Sequence, residues 1–288
     1  MEFLKENKDV DFGSAAASLG YSSARRALFD ALTQIGGPEA TAGTLQILEN
    51  TAEPREIALL AQNLEKLAPE EYRQEALQAA RETLALAAEG KLQASDVSPL
   101  FEVLQQFGGA GAVAELQNAA KQWNYYATIA LAQLPDGAGI PSLIEIAQGS
   151  TGAKGNALEM LAQVSSQYSE ARSALLDLAR ANKITPNQWP YLTPLLAGDQ
   201  YHYQDAVFDA PTLGGNKAPG DAAHVLFGNQ HFYTAPALNG MTPDEMSQRM
   251  ALIDDLAALT TEPAALQALH NSRELLRKRF PQTASVSP

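Results

Sequence analysis

The sequence predicts an all-α chain: an α-α superhelix of about five to six stacked helix pairs, then an irregular segment, then a closing helical hairpin. Three observations carry this. Apolar residues are 45 % of the chain but aromatics only 7 %, so the core rests on Ala and Leu, which lose little rotamer freedom in a helix. Apolar stretches with helical spacing follow one another along most of the chain. Short breaks, several bearing Gly or Pro, follow Ile35, Leu67, Phe107, Leu134 and Val164, at intervals of 32, 40, 27 and 30 residues. Two helices of three or four turns plus two turns need about that length.

Residues 1–21 form an N-terminal arm, and the repeats occupy 22–197. The first helix runs from Arg25 to Ile35, breaks at Gly36-Gly37-Pro38, and its partner continues through Leu45, Ile47 and Leu48. A long helix, 69–89, begins at Pro69-Glu70-Glu71, with proline where its missing N–H is harmless and carboxylates beside the positive helix end. Gly108-Gly109 ends the next stretch. Tyr125 to Leu134 then breaks at Pro135-Asp136-Gly137 and resumes through Ile140, Leu143, Ile144 and Ile146. Sliding the chain by 99 residues lays Ala31-Leu32 on Ala130-Leu131, Ile35 on Leu134 and Leu45 on Ile144. Ala31, Ala58, Ala61, Ala127, Ala130, Ala157 and Ala162 let neighbouring helices approach closely. In this register Leu131→Asp or Ile144→Asp buries an unpaired charge and unfolds the array.

On the residues Ala127 to Ile146, with Ala27 to Leu48 as the second copy, the chain resembles the HEAT repeat family. The likeness is to its short variety, similar to phycobilisome-lyase-type repeats, and it covers about 22–181. The resemblance implies an α-solenoid whose work is scaffolding and protein–protein binding. The Asp and Arg of the family's inter-helix turns are mostly absent from this sequence.

The pattern weakens at Ile184 to Pro194, where three prolines leave room only for a short or broken helix. Residues 198–241 show no helical period, yet hold Tyr201, Tyr203, Phe208, Phe227, Phe232 and Tyr233 with His202, His224 and His231. So long an irregular stretch is usually functional or disordered, and its aromatics resemble anchors more than a linker. It reads as a cap over the last repeat or as a binding segment. Residues 242–281 form the hairpin, with capping-box spacing between Thr242 and Glu245 and a second helix from Glu262-Pro263. Residues 282–288 are a frayed tail.

The formal charge of −13 argues against nucleic acid, whose phosphates need Lys and Arg. With no cysteine, disulfides and thiolate chemistry are excluded. No stretch approaches 18 apolar residues, so no membrane insertion is expected. Met1 to Lys8 lacks the apolar core of a signal peptide; the compartment stays open between cytoplasm and, behind a removed export signal, periplasm or exterior. No hydrolase elbow, phosphate loop or metal-helix motif occurs. Asp199, His202, Asp205 and Asp209, or Asp221, His224 and His231, offer ligand types without ligand spacing, so no metal and no cofactor is expected. The sequence therefore predicts a non-catalytic scaffold for a protein or peptide partner. The contact residues expected are Trp123, Tyr125, Tyr201, His202, Tyr203, His224, His231, Phe232 and Tyr233. The alternative is a small-molecule-handling or lyase-like protein with a site in 198–241.

Overall fold

A computed structural model of the chain describes residues 9–21, 23–92, 97–198 and 241–279. They fall into two compact units, one ending at Gly108 and one beginning at Gly109 and including 241–279. Both are all-α; among the described residues the one extended pairing is an isolated bridge between Asp11 and Ser23.

After an arm that holds one short helical turn, Ala16–Leu19, the first unit contains α1 (Ala24–Ile35), α2 (Gly37–Leu48), α3 (Pro54–Leu67), α4 (Arg73–Ala88) and α5 (Ser98–Gly108). Each helix packs on the next, and α1, α3 and α5 also pack side by side as a row. Ser23 caps α1 by accepting from the Arg26 amide (3.4 Å), and Glu53 caps α3 by accepting from the Glu56 amide (2.7 Å). Between α1 and α2 the chain turns through Gly36 at φ 68°, ψ −169°, a conformation that glycine adopts without Cβ strain. The arm lies along the start of α1: Val10 O accepts from Ala24 N and Asp9 Oδ1 from Arg25 N, both at 2.9 Å.

Helix α4 begins at Arg73, later than Pro69-Glu70-Glu71 suggests. Glu70 is left-handed, at φ 69°, which breaks the helical path there. The Glu65 carboxylate accepts from Glu70 N (3.2 Å) and from Arg73 Nε (3.0 Å), so residues 69–72 form a tied turn.

The second unit contains α6 (Val113–Ala119), α7 (Asn124–Ala132), α8 (Ile140–Gln148), α9 (Lys154–Val164), α10 (Ser169–Arg180), α11 (Trp189–Leu196), α12 (Pro243–Leu259) and α13 (Pro263–Arg279). Its contacts follow one rule: from α6 to α10 each helix packs on the next, and throughout on the next but one. Two rows result, α6–α8–α10–α12 and α7–α9–α11–α13. This is the stacking of a helical-repeat fold, in which each pair buries its apolar faces against its neighbours. Helix α11 is short, as the prolines predict, with Pro190 in its first turn and Pro194 inside. At the α7–α8 turn Gly139 lies against the backbone of Leu131.

The register differs from the expected one in detail. Under the 99-residue shift, 42–48 and 141–147 show the same order of exposed, buried and half-buried positions. Leu45 and Ile144, however, are half-buried, and the core positions beside them are Thr44 and Leu143. The α1–α7 match fails at its end: Leu134 is buried, whereas Ile35 is 77 % exposed. Among the described residues, helix α7 is flanked by α6, α8 and α9, while the main helix contacts of α1 are with α2 and α3. Among the described residues no further helix packs strongly on the outer side of α1. Ala31 is accordingly half-buried, whereas the other six alanines expected at helix contacts are buried.

Candidate functional site

Of the residues expected to contact a partner, Trp123 and Tyr125 are described; Tyr201, His202, Tyr203, His224, His231, Phe232 and Tyr233 lie outside the described residues, as do both sets of possible metal ligands. After α6 the chain makes a tight turn, in which Ala119 O accepts from Gln122 N (3.0 Å) and Trp123 N (2.9 Å). Trp123 becomes the residue that precedes α7, and its carbonyl accepts from Ala127 N (3.0 Å). Tyr125 follows in the first turn, its amide donating to Asn124 Oδ1 (3.0 Å). Both rings are half-buried, while Tyr126 turns inward with Ile129 and Ala130, as its place on the helix predicts. Two amphipathic rings are thus held where the turn after α6 leads into α7. Such rings can bury large area at small entropic loss.

A second surface went unforeseen. Along α1, Leu28 is 39 % exposed and Ile35 77 %, with Ala31 and Leu32 half-buried between them. Spacings of four and three residues place Leu28, Leu32 and Ile35 side by side on one helical face. The stripe is flanked by a fixed polar network, in which Asp30 Oδ2 accepts from the Tyr21 hydroxyl and from Gln34 Nε2 (2.7 Å). That bond to a carboxylate raises the Tyr21 phenol above its ordinary pKa. Residues 9–108 hold 15 acidic and seven basic residues, so the unit bearing the stripe is acidic.

Two buried arginines also escaped the sequence reading. Arg25, on the inner side of α1, donates from Nε and Nη2 to Glu56 of α3 (2.5 and 2.9 Å) and stands 5.3 Å from the Phe29 ring centroid. Glu56 also accepts from Thr51 Oγ1 (2.8 Å), which helps the carboxylate hold its place. Arg249, on α12, is 1 % exposed. Burial pushes its pKa down and the Glu245 carboxylate beside it opposes that shift. Glu245 has half of its expected capping role: its amide is capped by Thr242 Oγ1 (3.2 Å), while its carboxylate turns to Arg249. In both cases the sequence signal is an arginine inside an apolar stripe, Arg25-Phe29-Leu32 and Arg249-Leu252-Ile253-Leu256.

Among the described residues no cluster of His, Asp and Glu is placed to hold a metal ion, and no helix is long and apolar enough to cross a membrane. Comparison with protein-family models, with curated proteins and with solved structures gives no match.

Proposed function

We propose that the protein is a binding scaffold of HEAT-like repeats that receives a protein or peptide partner on the exposed face of α1. The observation that carries this reading is the apolar stripe Leu28–Leu32–Ile35 exposed along α1. Single exposed apolar residues are ordinary, whereas contiguous apolar patches mark interaction sites. The acidic balance of the unit as a whole favours an amphipathic helix whose polar face carries Lys or Arg, since complementary charge speeds encounter and rejects wrong partners. Trp123 and Tyr125 are a second contact point, on the other unit.

The test uses two labelled model helices, one built from Leu and Lys and one from Leu and Glu. The Leu/Lys helix should bind the full-length chain at least tenfold more tightly, and the double variant L28S/I35S should lose that binding while keeping the helical circular dichroism of the folded chain. Equal binding of the two helices, or undiminished binding by the double variant, overturns the reading.

A further inference from the structure

Arg249 takes no part in the α1 face and belongs to the other unit. A guanidinium offers five N–H donors, and Arg249 makes five bonds with them. Nη1 donates to the carbonyl oxygens of Leu195 (3.0 Å) and Leu196 (3.1 Å). Nη2 donates to Gln163 O (3.5 Å) and to Glu245 Oε1 (3.2 Å), and Nε donates to the same carboxylate oxygen (3.3 Å). Leu195 and Leu196 are the last residues of α11, and Gln163 lies in the last turn of α9. Helix C-terminal turns leave carbonyls unsatisfied and carry partial negative charge. Two such ends therefore converge on one side chain able to supply both.

The same seam carries further directional ties. Ser166 Oγ donates to Glu245 Oε1 (3.1 Å), Arg172 of α10 pairs with Asp255 of α12 (2.9 Å), and Ser272 Oγ of α13 donates to Thr193 O of α11. A buried charge stabilises little in net terms, because desolvation offsets its attractions, but it penalises any arrangement that strips away its partners. A hairpin slid or lifted by part of a turn would leave the Arg249 guanidinium among apolar side chains with empty donors. Partly seated positions are therefore disfavoured, and seating becomes all or none.

We propose that α12 and α13 form a two-state closing element latched by Arg249, either seated against α9, α10 and α11 or released as a unit while residues 109–198 stay folded. Release uncovers the faces of α10 and α11 on which the hairpin lies, a surface shaped for an amphipathic helix pair. The full-length chain and its R249M and R249K variants test this by hydrogen exchange read by mass spectrometry. Methionine fills similar space without charge, whereas lysine keeps the charge but has only three donors. In R249M, exchange across α12 and α13 should quicken by on the order of 10²-fold, as expected when a buried ion loses its partner, while α7 and α8 stay within about threefold of wild type. R249K should show a smaller acceleration confined to the same two helices. The chain has no native cysteine, so T193C gives an independent reading: its thiol, at a buried position of α11 beneath Ser272, should react far faster when combined with R249M. Equal acceleration in α7–α8 and α12–α13, or an unchanged hairpin in R249M, overturns the proposal.

Discussion

Gly139 offers a sharp test of how closely the helices stack. It precedes α8 at φ −87°, so the backbone itself accepts any residue. A Cβ built there would lie 2.1 Å from Leu131 O, 2.7 Å from Leu131 C and 2.8 Å from Leu131 Cα. Even a close C···O contact needs about 3.3 Å, so Gly139→Ala must push α7 and α8 apart by roughly 1 Å. The atoms it meets are backbone, with no rotamer to yield. Overpacking of this kind costs about 1–3 kcal/mol, sometimes more. The entropy gained by removing a glycine from the unfolded chain, about 0.4–1 kcal/mol, is roughly offset by the poorer alanine cap. A net loss of about 1–3 kcal/mol should lower the melting temperature by roughly 2–12 °C, at 2–4 °C per kcal/mol. Gly155, inside α9, is the control: a Cβ there meets nothing within 4 Å. Gly155→Ala should raise stability by about 0.4–1 kcal/mol. Urea denaturation followed by circular dichroism at 222 nm reads both. A Gly139→Ala chain within about 0.5 kcal/mol of wild type would mean that α7 and α8 do not cross this closely.

The remaining expectations follow from the same contacts. Leu131→Ala should cost about 3–5 kcal/mol and Ile144→Ala clearly less, because Leu131 is fully buried and Ile144 only half-buried; equal losses in urea titrations would refute the observed register. Tyr21 should ionise above its ordinary value near 10, because Asp30 accepts its proton bond. A raised folded-state pKa means that this contribution is complete below the unfolded value and is lost as pH rises through the folded one. Ultraviolet titration at 295 nm should therefore show Tyr21→Phe removing a late-titrating phenol; loss of one that titrates near 10 would contradict the bond. Gly137→Ala should be strained twice, by a φ of 70° and by the Tyr168 ring 2.6 Å from the new Cβ. Tyr168→Ala should relieve only the second part in a double-mutant cycle of melting temperatures.

Much of this architecture was legible because turns and apolar periodicity are local properties. The breaks after Ile35, Leu67 and Val164 fall at helix ends, and those after Phe107 and Leu134 come within two residues of the ends at Gly108 and Ala132. The hairpin, expected at about 242–260 and 263–280, spans 243–259 and 263–279. Errors came where tertiary contacts override local rules. Pro69-Glu70-Glu71 has the composition of a helix start, yet Glu65, Glu70 and Arg73 satisfy one another in a turn first. Ile35 and Leu134 share a sequence environment, but among the described helices α1 stands at the edge of its row while α7 stands inside its own. Of the candidate site, the inward turn of Tyr126 could be read from helical spacing, whereas the apolar face of α1 could not. Seen alone, Leu28, Leu32 and Ile35 look like any buried stripe, and only knowing what fails to cover them marks them as a surface.

The two buried arginines show what a reading built on apolar periodicity passes over. A repeat array built from Leu and Ala has little to distinguish one docking register from the next, since neighbouring apolar faces are chemically alike. A guanidinium among them changes that. Arg25 fits where Glu56 can accept two of its donors, and Arg249 fits where two helix ends and Glu245 meet. Replacing Arg25 and Glu56 together with apolar residues of equal volume should leave stability nearly unchanged or raise it. Removing one partner alone should be severe. The difference between those outcomes, measured as the coupling energy of the Arg25–Glu56 cycle, separates specification of a register from simple stabilisation. A cycle in which the double apolar variant loses as much as the sum of the singles would leave the ion pair no role in choosing the arrangement.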